Sequence, residues 1–152
     1  MSMQQRSGLV RMSLALAVVI PAIAGASMAA SSWASSSPST KRIAVSTLAN
    51  EFRTVLTAVR GSHGGGAPPA TVKIAAYERS GDRWKPLGRQ TVGRPNSWFW
   101  NVVTGPGAIC RFSTSDRDPY PIEVRLLVSD SLGCSPATFN FHVDKYGRLA
   151  PG

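Results

Sequence analysis

The sequence predicts an all-β chain: an antiparallel β-sandwich of about seven strands with one disulfide, a small β-barrel being the alternative. Three observations carry this. Apolar and polar residues alternate over short runs through the second half of the chain, most cleanly where Ile122, Val124, Leu126 and Val128 interleave with Glu123, Arg125, Leu127 and Ser129. Gly-, Pro-, Asn- and Asp-rich turn signals separate those runs at intervals of roughly ten residues. The chain also has two cysteines, Cys110 and Cys134, spaced as a staple and not as a redox Cys-x-x-Cys.

The N-terminal stretch reads differently. Arg6 and Arg11 precede the apolar run Leu14–Ile20, and small residues follow as Ala24-Gly25-Ala26 and Ser27-Met28-Ala29. That order is a secretory signal peptide over residues 1–29. The apolar run is shorter than the roughly 20 residues of a spanning helix and is broken by Pro21 and Gly25, so no membrane span is expected after cleavage. Residues 30–41, rich in Ser, Ala and Pro, read as a flexible linker with Trp33 as its one large apolar residue. A single domain over residues 42–152 remains.

Within that domain, residues 43–60 are ambiguous. Val45, Leu48, Phe52, Val55, Leu56 and Val59 fit helical spacing, whereas the β-branched run before Gly61 favours a strand over 52–60. The strand is preferred. Gly61–Pro69 reads as a loop: it lacks the Gly-Lys-Ser/Thr ending of a phosphate-binding loop, and Pro68-Pro69 oppose a following helix. Val72, Ile74 and Ala76 share one face of the next strand, and Ser80-Gly81-Asp82 turns into a strand carrying Trp84. Pro86 and Gly88 make that strand an edge or a bulged one.

After Gly93–Asn96, alternation assigns Trp98, Trp100 and Val102 to one face of a strand, and Phe99, Asn101 and Val103 to the other. Past Gly105-Pro106-Gly107, Ala108, Cys110 and Phe112 oppose Ile109, Arg111 and Ser113. A last strand sets Phe139, Phe141 and Val143 against Asn140, His142 and Asp144. A Cys110–Cys134 bond would staple two consecutive strands and close a loop of about 25 residues, contributing roughly 3.5 kcal/mol in the chain-entropy model.

Chemistry in this sequence is sparse. His142 sits beside Asp144 on what reads as a solvated face, and His63 lies in the Gly-rich loop without a neighbour of matching chemistry. Two histidines and a cysteine pair form no zinc-spaced ligand set. Asp116 and Asp118, with Asp130, fall short of the six to eight oxygens that calcium takes, and Arg117 opposes a cation between them. No cofactor and no catalytic residue are expected. The formal charge is +9, and removal of Arg6 and Arg11 with the leader leaves +7. Such a charge favours anionic partners.

The densest basic group is Arg79, Arg83, Lys85, Arg89 and Arg94, set around Trp84. Arg79, Arg83, Trp84, Lys85 and Arg89, with Trp98 and Trp100, therefore form the candidate ligand-binding set. The Trp98–Trp100 pair reads either as core or as an exposed aromatic strip, and the small size of the domain favours core. An exported destination favours an anionic cell-wall polymer or an acidic protein as partner over nucleic acid.

The run Thr104–Cys110, followed by Val124–Ser129 and Leu132-Gly133-Cys134-Ser135-Pro136, resembles a group of small, uncharacterised secreted β-rich proteins of high-GC Gram-positive bacteria. The likeness spans residues 52–149. It implies export and a β fold, and brings no catalytic residues. The expectation is thus a secreted or wall-associated, non-enzymatic binding protein. The alternatives are a protease inhibitor presenting loop 129–136, or a small hydrolase.

Overall fold

In a computed structural model, residues 39–62 and 66–152 are described. The expected leader, Trp33, most of the linker and His63 lie outside them. The strands run β1 (Thr40–Leu48), β2 (Phe52–Arg60), β3 (Pro69–Ser80), β4 (Arg83–Val92), β5 (Trp98–Phe99), β6 (Ile109–Thr114), β7 (Tyr120–Ser129), β8 (Gly133–Cys134), β9 (Phe139–Val143) and β10 (Leu149–Pro151). One helical turn, α1 (Trp100–Val103), interrupts them. All the strand pairings are antiparallel and form two sheets: β1-β2-β3-β4, with β5 beside β3, and β10-β9-β7-β6, with β8 beside β7. This is the predicted sandwich-like fold.

The strand preferred over 52–60 forms as β2, and the residues before it, which also fit helical spacing, form the strand β1. β1 and β2 form a hairpin whose two central residues, Ala49 and Asn50, have φ of 47° and 58°. Glu51 N–H closes the turn onto the Leu48 carbonyl at 2.9 Å. Positive φ at both central positions matches the right-handed twist of the flanking strands. β1 also takes in Thr40 and Lys41, which composition alone assigned to the linker.

The core lies between the sheets. Leu56 and Ala58 of β2, Ala70, Val72, Ile74 and Ala76 of β3, and Ile122, Val124 and Leu126 of β7 are buried at alternate positions. β4 is both an edge strand and a bulged one. Its register passes from Ala76–Gly88 to Tyr77–Pro86, and the extra residue, Leu87, turns into the core. At Gly88 (φ 139°), an added Cβ would lie 3.4 Å from the Leu149 side chain of β10.

Two alternation patterns break down. The strand expected through Trp98–Val103 stops at Phe99, and the chain coils into α1. Nearly every residue there is apolar, so alternation had nothing to fix its phase. The helical turn brings Trp100 and Val103, three apart, toward the core together: Val103 is fully buried and Trp100 packs against the cluster. In β6, Ile109 pairs with Leu126 and Arg111 with Arg125, which leaves Cys110 as a bulged residue. Ile109 and Phe112 consequently both pack on the core, where strict alternation separated them. The Cys110–Cys134 disulfide forms as predicted. It joins β6 to β8, each of which pairs with β7, and not two consecutive strands.

The sheets also meet along both margins. Ser46 of β1 and Thr114 of β6 share a hydroxyl hydrogen bond of 2.9 Å. On the other side, Gln90 of β4 donates from Nε2 to the Leu149 carbonyl of β10 at 3.1 Å. Among the described residues, no helix is long and apolar enough to cross a membrane.

Candidate ligand face on the first sheet

Register dictates what the outer face of the first sheet displays. With Leu56, Ile74 and their alternates turned to the core, the intervening residues point away from it. They fall into cross-strand rows. Arg42, Thr57, Lys73 and Thr91 form one; Val45, Val55, Ala75 and Arg89 the next; then Thr47, Arg53, Tyr77 and Pro86; and at the hairpin end Arg79 and Trp84. None of these paired positions carries a carboxylate. Arg42, Arg53, Lys73, Arg79 and Arg89 therefore share one face without an acidic neighbour in the rows.

Trp84 organises the basic end. The Arg53 guanidinium carbon lies 4.1 Å from the centre of its ring, and that of Arg79 lies at 6.0 Å. Cation–π contacts of this kind contribute about 0.5–1 kcal/mol at exposed sites. Arg79 is further held by its Nε bond to the Gly81 carbonyl at 3.0 Å. Its approach to Asp82, at 3.9 Å with Asp82 fully exposed, is worth little. Arg53 makes no ion pair among the described residues, and its buried Nε has no hydrogen-bond partner. Beside this cluster lies an open depression of about 610 Å³, lined by Arg42, Val45, Arg53, Val55, Thr57, Tyr77 and Trp84.

The residues singled out by sequence divide. Arg79, Trp84 and Arg89 lie on this face. Arg83, opposite Ser80, and Lys85, opposite Glu78, belong to the alternate positions and project from the other side of the hairpin. Trp98 is core, 7% exposed, with Nε1 donating to the Val92 carbonyl at 2.8 Å and its ring meeting Phe139 edge-on. Trp100 is half-buried in α1, so the two tryptophans form no exposed strip, and Phe99 between them is the exposed residue at 48%. Sequence reading missed Arg42, Arg53, Lys73 and the Val45–Val55 pair. For Arg53 and Val55 the signal was the period of two in Arg53-Thr54-Val55-Leu56-Thr57, masked by an equally good helical spacing.

Elsewhere, His142 and Asn140 point away from the core of the second sheet, as predicted. Asp144 is taken up by the β9–β10 turn. Its Oδ1 accepts from the backbone N–H groups of Tyr146 and Arg148, both at 2.9 Å, and its Oδ2 from the Arg148 guanidinium. The Arg148 backbone N–H, with these other donors, holds the Asp144 carboxyl below its ordinary pKa. Among the described residues, no three His, Cys, Asp or Glu side chains converge as a metal site.

Comparison with known proteins finds no match to any family model, to any curated protein or to any solved structure.

Proposed function

We propose that this is an exported, non-enzymatic protein that binds an anionic polymer of the cell surface through the outer face of its first sheet. The observation that carries this reading is the set of cations interleaved with Trp84, Tyr77, Val45 and Val55 on a face whose rows hold no carboxylate. Like-signed charges on one face repel, and an anionic partner relieves that repulsion while the aromatic and apolar groups supply contact area. The leader-like N-terminus and the disulfide support an oxidising, extracellular destination.

The test is retention of the protein on anionic cell-wall polymer at increasing salt. Retention should fall steeply with ionic strength and be lost in Trp84→Ala and Arg79→Gln. Arg83→Gln, altering a charge on the other side of the hairpin, should behave as wild type. Equal losses from Arg79→Gln and Arg83→Gln would reduce the effect to net charge and remove the face from the explanation.

A second reading, a protease inhibitor, rests on one observation. Leu132 is 75% exposed at the tip of the β7–β8 turn, two residues before Cys134. Inhibition of a secreted protease that disappears on reduction or in Leu132→Ala would favour it.

A further inference from the structure

The rows of the first sheet carry more than a sign of charge. Arg42 and Lys73 share one row, Arg53 lies in another, and the row between them begins with Val45 and Val55. On β2, Thr57 in the Arg42 row and Arg53 are four residues apart, a separation of about 13 Å along the strand. The depression thus has a cationic end at Arg42, a cationic and aromatic end at Arg53 and Trp84, and an apolar floor at Val45 and Val55. Val45 is 45% exposed, a large fraction for a β-branched apolar residue within a strand.

We infer that the depression takes an acidic polysaccharide, with one sugar carboxylate at the Arg53–Trp84 end and a second at the Arg42 end. This rests on the anionic-polymer reading above and narrows it. Guanidinium forks match carboxylates and phosphates alike, so charge by itself does not select between them. The middle of the site does. A polyphosphate chain presents charged oxygens along its whole length and would have to desolvate them against two valines. A sugar ring presents C–H faces, which suit Val45, Val55 and the Trp84 ring, and holds its single carboxylate to one side of them.

The experiment is calorimetric titration of the protein with an oligogalacturonate, its methyl ester and a polyphosphate of matched charge. The oligogalacturonate should bind more tightly than either of the others. Arg42→Gln and Arg53→Gln, at opposite ends, should each weaken it by about tenfold. Val55→Thr, nearly the same in volume, should weaken the oligogalacturonate by about fivefold and leave polyphosphate unchanged. Unaltered thermal unfolding of the variants shows that the sheet is intact. Polyphosphate bound as tightly as oligogalacturonate, or affinity indifferent to Val55→Thr or to either arginine, overturns the inference while the anionic face stands. If no anionic polymer binds, both readings fall.

Discussion

Ala49 sits where the backbone asks for a residue without a side chain. Its φ of 47° in the β1–β2 turn places Cβ against the backbone, at a cost of roughly 1 kcal/mol for an L-residue. Ala49→Gly relieves that strain but adds conformational entropy to the unfolded chain, which offsets part of the gain. The expected net is a gain of about 0.5 kcal/mol, read as a higher urea midpoint with an unchanged slope. The same residue explains why this hairpin was hidden in the sequence. Turn recognition leans on Asn-Gly or Asp-Gly, and Ala49-Asn50 offers Asn in second place with no glycine. Asp144 gives a second prediction: sequence alternation set it on the outward face of a strand, and the structure has its carboxylate hold the turn that follows. Because its folded pKa is depressed, its contribution is present above the unfolded value of about 3.9 and is lost as pH falls through the lower folded value. Asp144→Asn keeps an acceptor but has no titration. Its stability deficit relative to wild type should therefore be constant near neutral pH and shrink only below about pH 4. A deficit that does not change down to strongly acid pH would mean that the carboxylate's charge plays no part in the turn.

At the scale of the element, what could be read depended on whether neighbouring residues differed in polarity. β7 was legible because Glu123 and Arg125 interrupt Ile122, Val124 and Leu126, and the structure buries those three residues as the pattern requires. The Trp98–Val103 segment offered no such contrast. Its helical turn is closed by Thr104, which donates from both its backbone N–H and its hydroxyl to the Trp100 carbonyl, at 3.0 and 2.7 Å. Bulges were half legible. Pro86 and Gly88 announced the one in β4, whereas nothing in Ala108–Phe112 announced the one at Cys110. That bulge matters, because it sets the cysteine to reach β8. The bond closes a loop between residues 24 apart in sequence, for which chain entropy predicts roughly 3.5 kcal/mol. Replacing both cysteines by alanine should lower the unfolding free energy by about that amount, measured in urea without reductant. A loss well under 1 kcal/mol would mean that the β6–β7 and β7–β8 pairings already fix this region without the bond.

The whole molecule is a sandwich whose two sheets meet at both margins, and those margins were invisible in sequence because they join elements far apart in the chain. Ser46 and Thr114 are separated by 68 residues, and Gln90 and Leu149 by 59. The first margin ends next to the candidate ligand face through β1, and the second backs β4, which carries Trp84 and Arg89. The second also contains a backbone conformation that favours glycine. Gly88 has a φ of 139°, a conformation that L-residues rarely adopt, and its added Cβ would lie 3.4 and 3.5 Å from the Leu149 Cβ and backbone nitrogen. Gly88→Ala meets only ordinary contact with β10 but forces an L-residue into this φ, and backbone strain of this kind costs about 1–3 kcal/mol. If β4 relieves that strain by shifting its backbone, the Gln90–Leu149 bond is the first to open, and the loss is local to that margin. Native-state hydrogen exchange should then show faster exchange at Leu149 and at Val143, its partner in β9, while the amides of β7 keep wild-type protection. Uniform acceleration across β7 as well would instead mean that the margin is part of the global cooperative unit, with β4, and the face it carries, no more rigid than the sandwich as a whole.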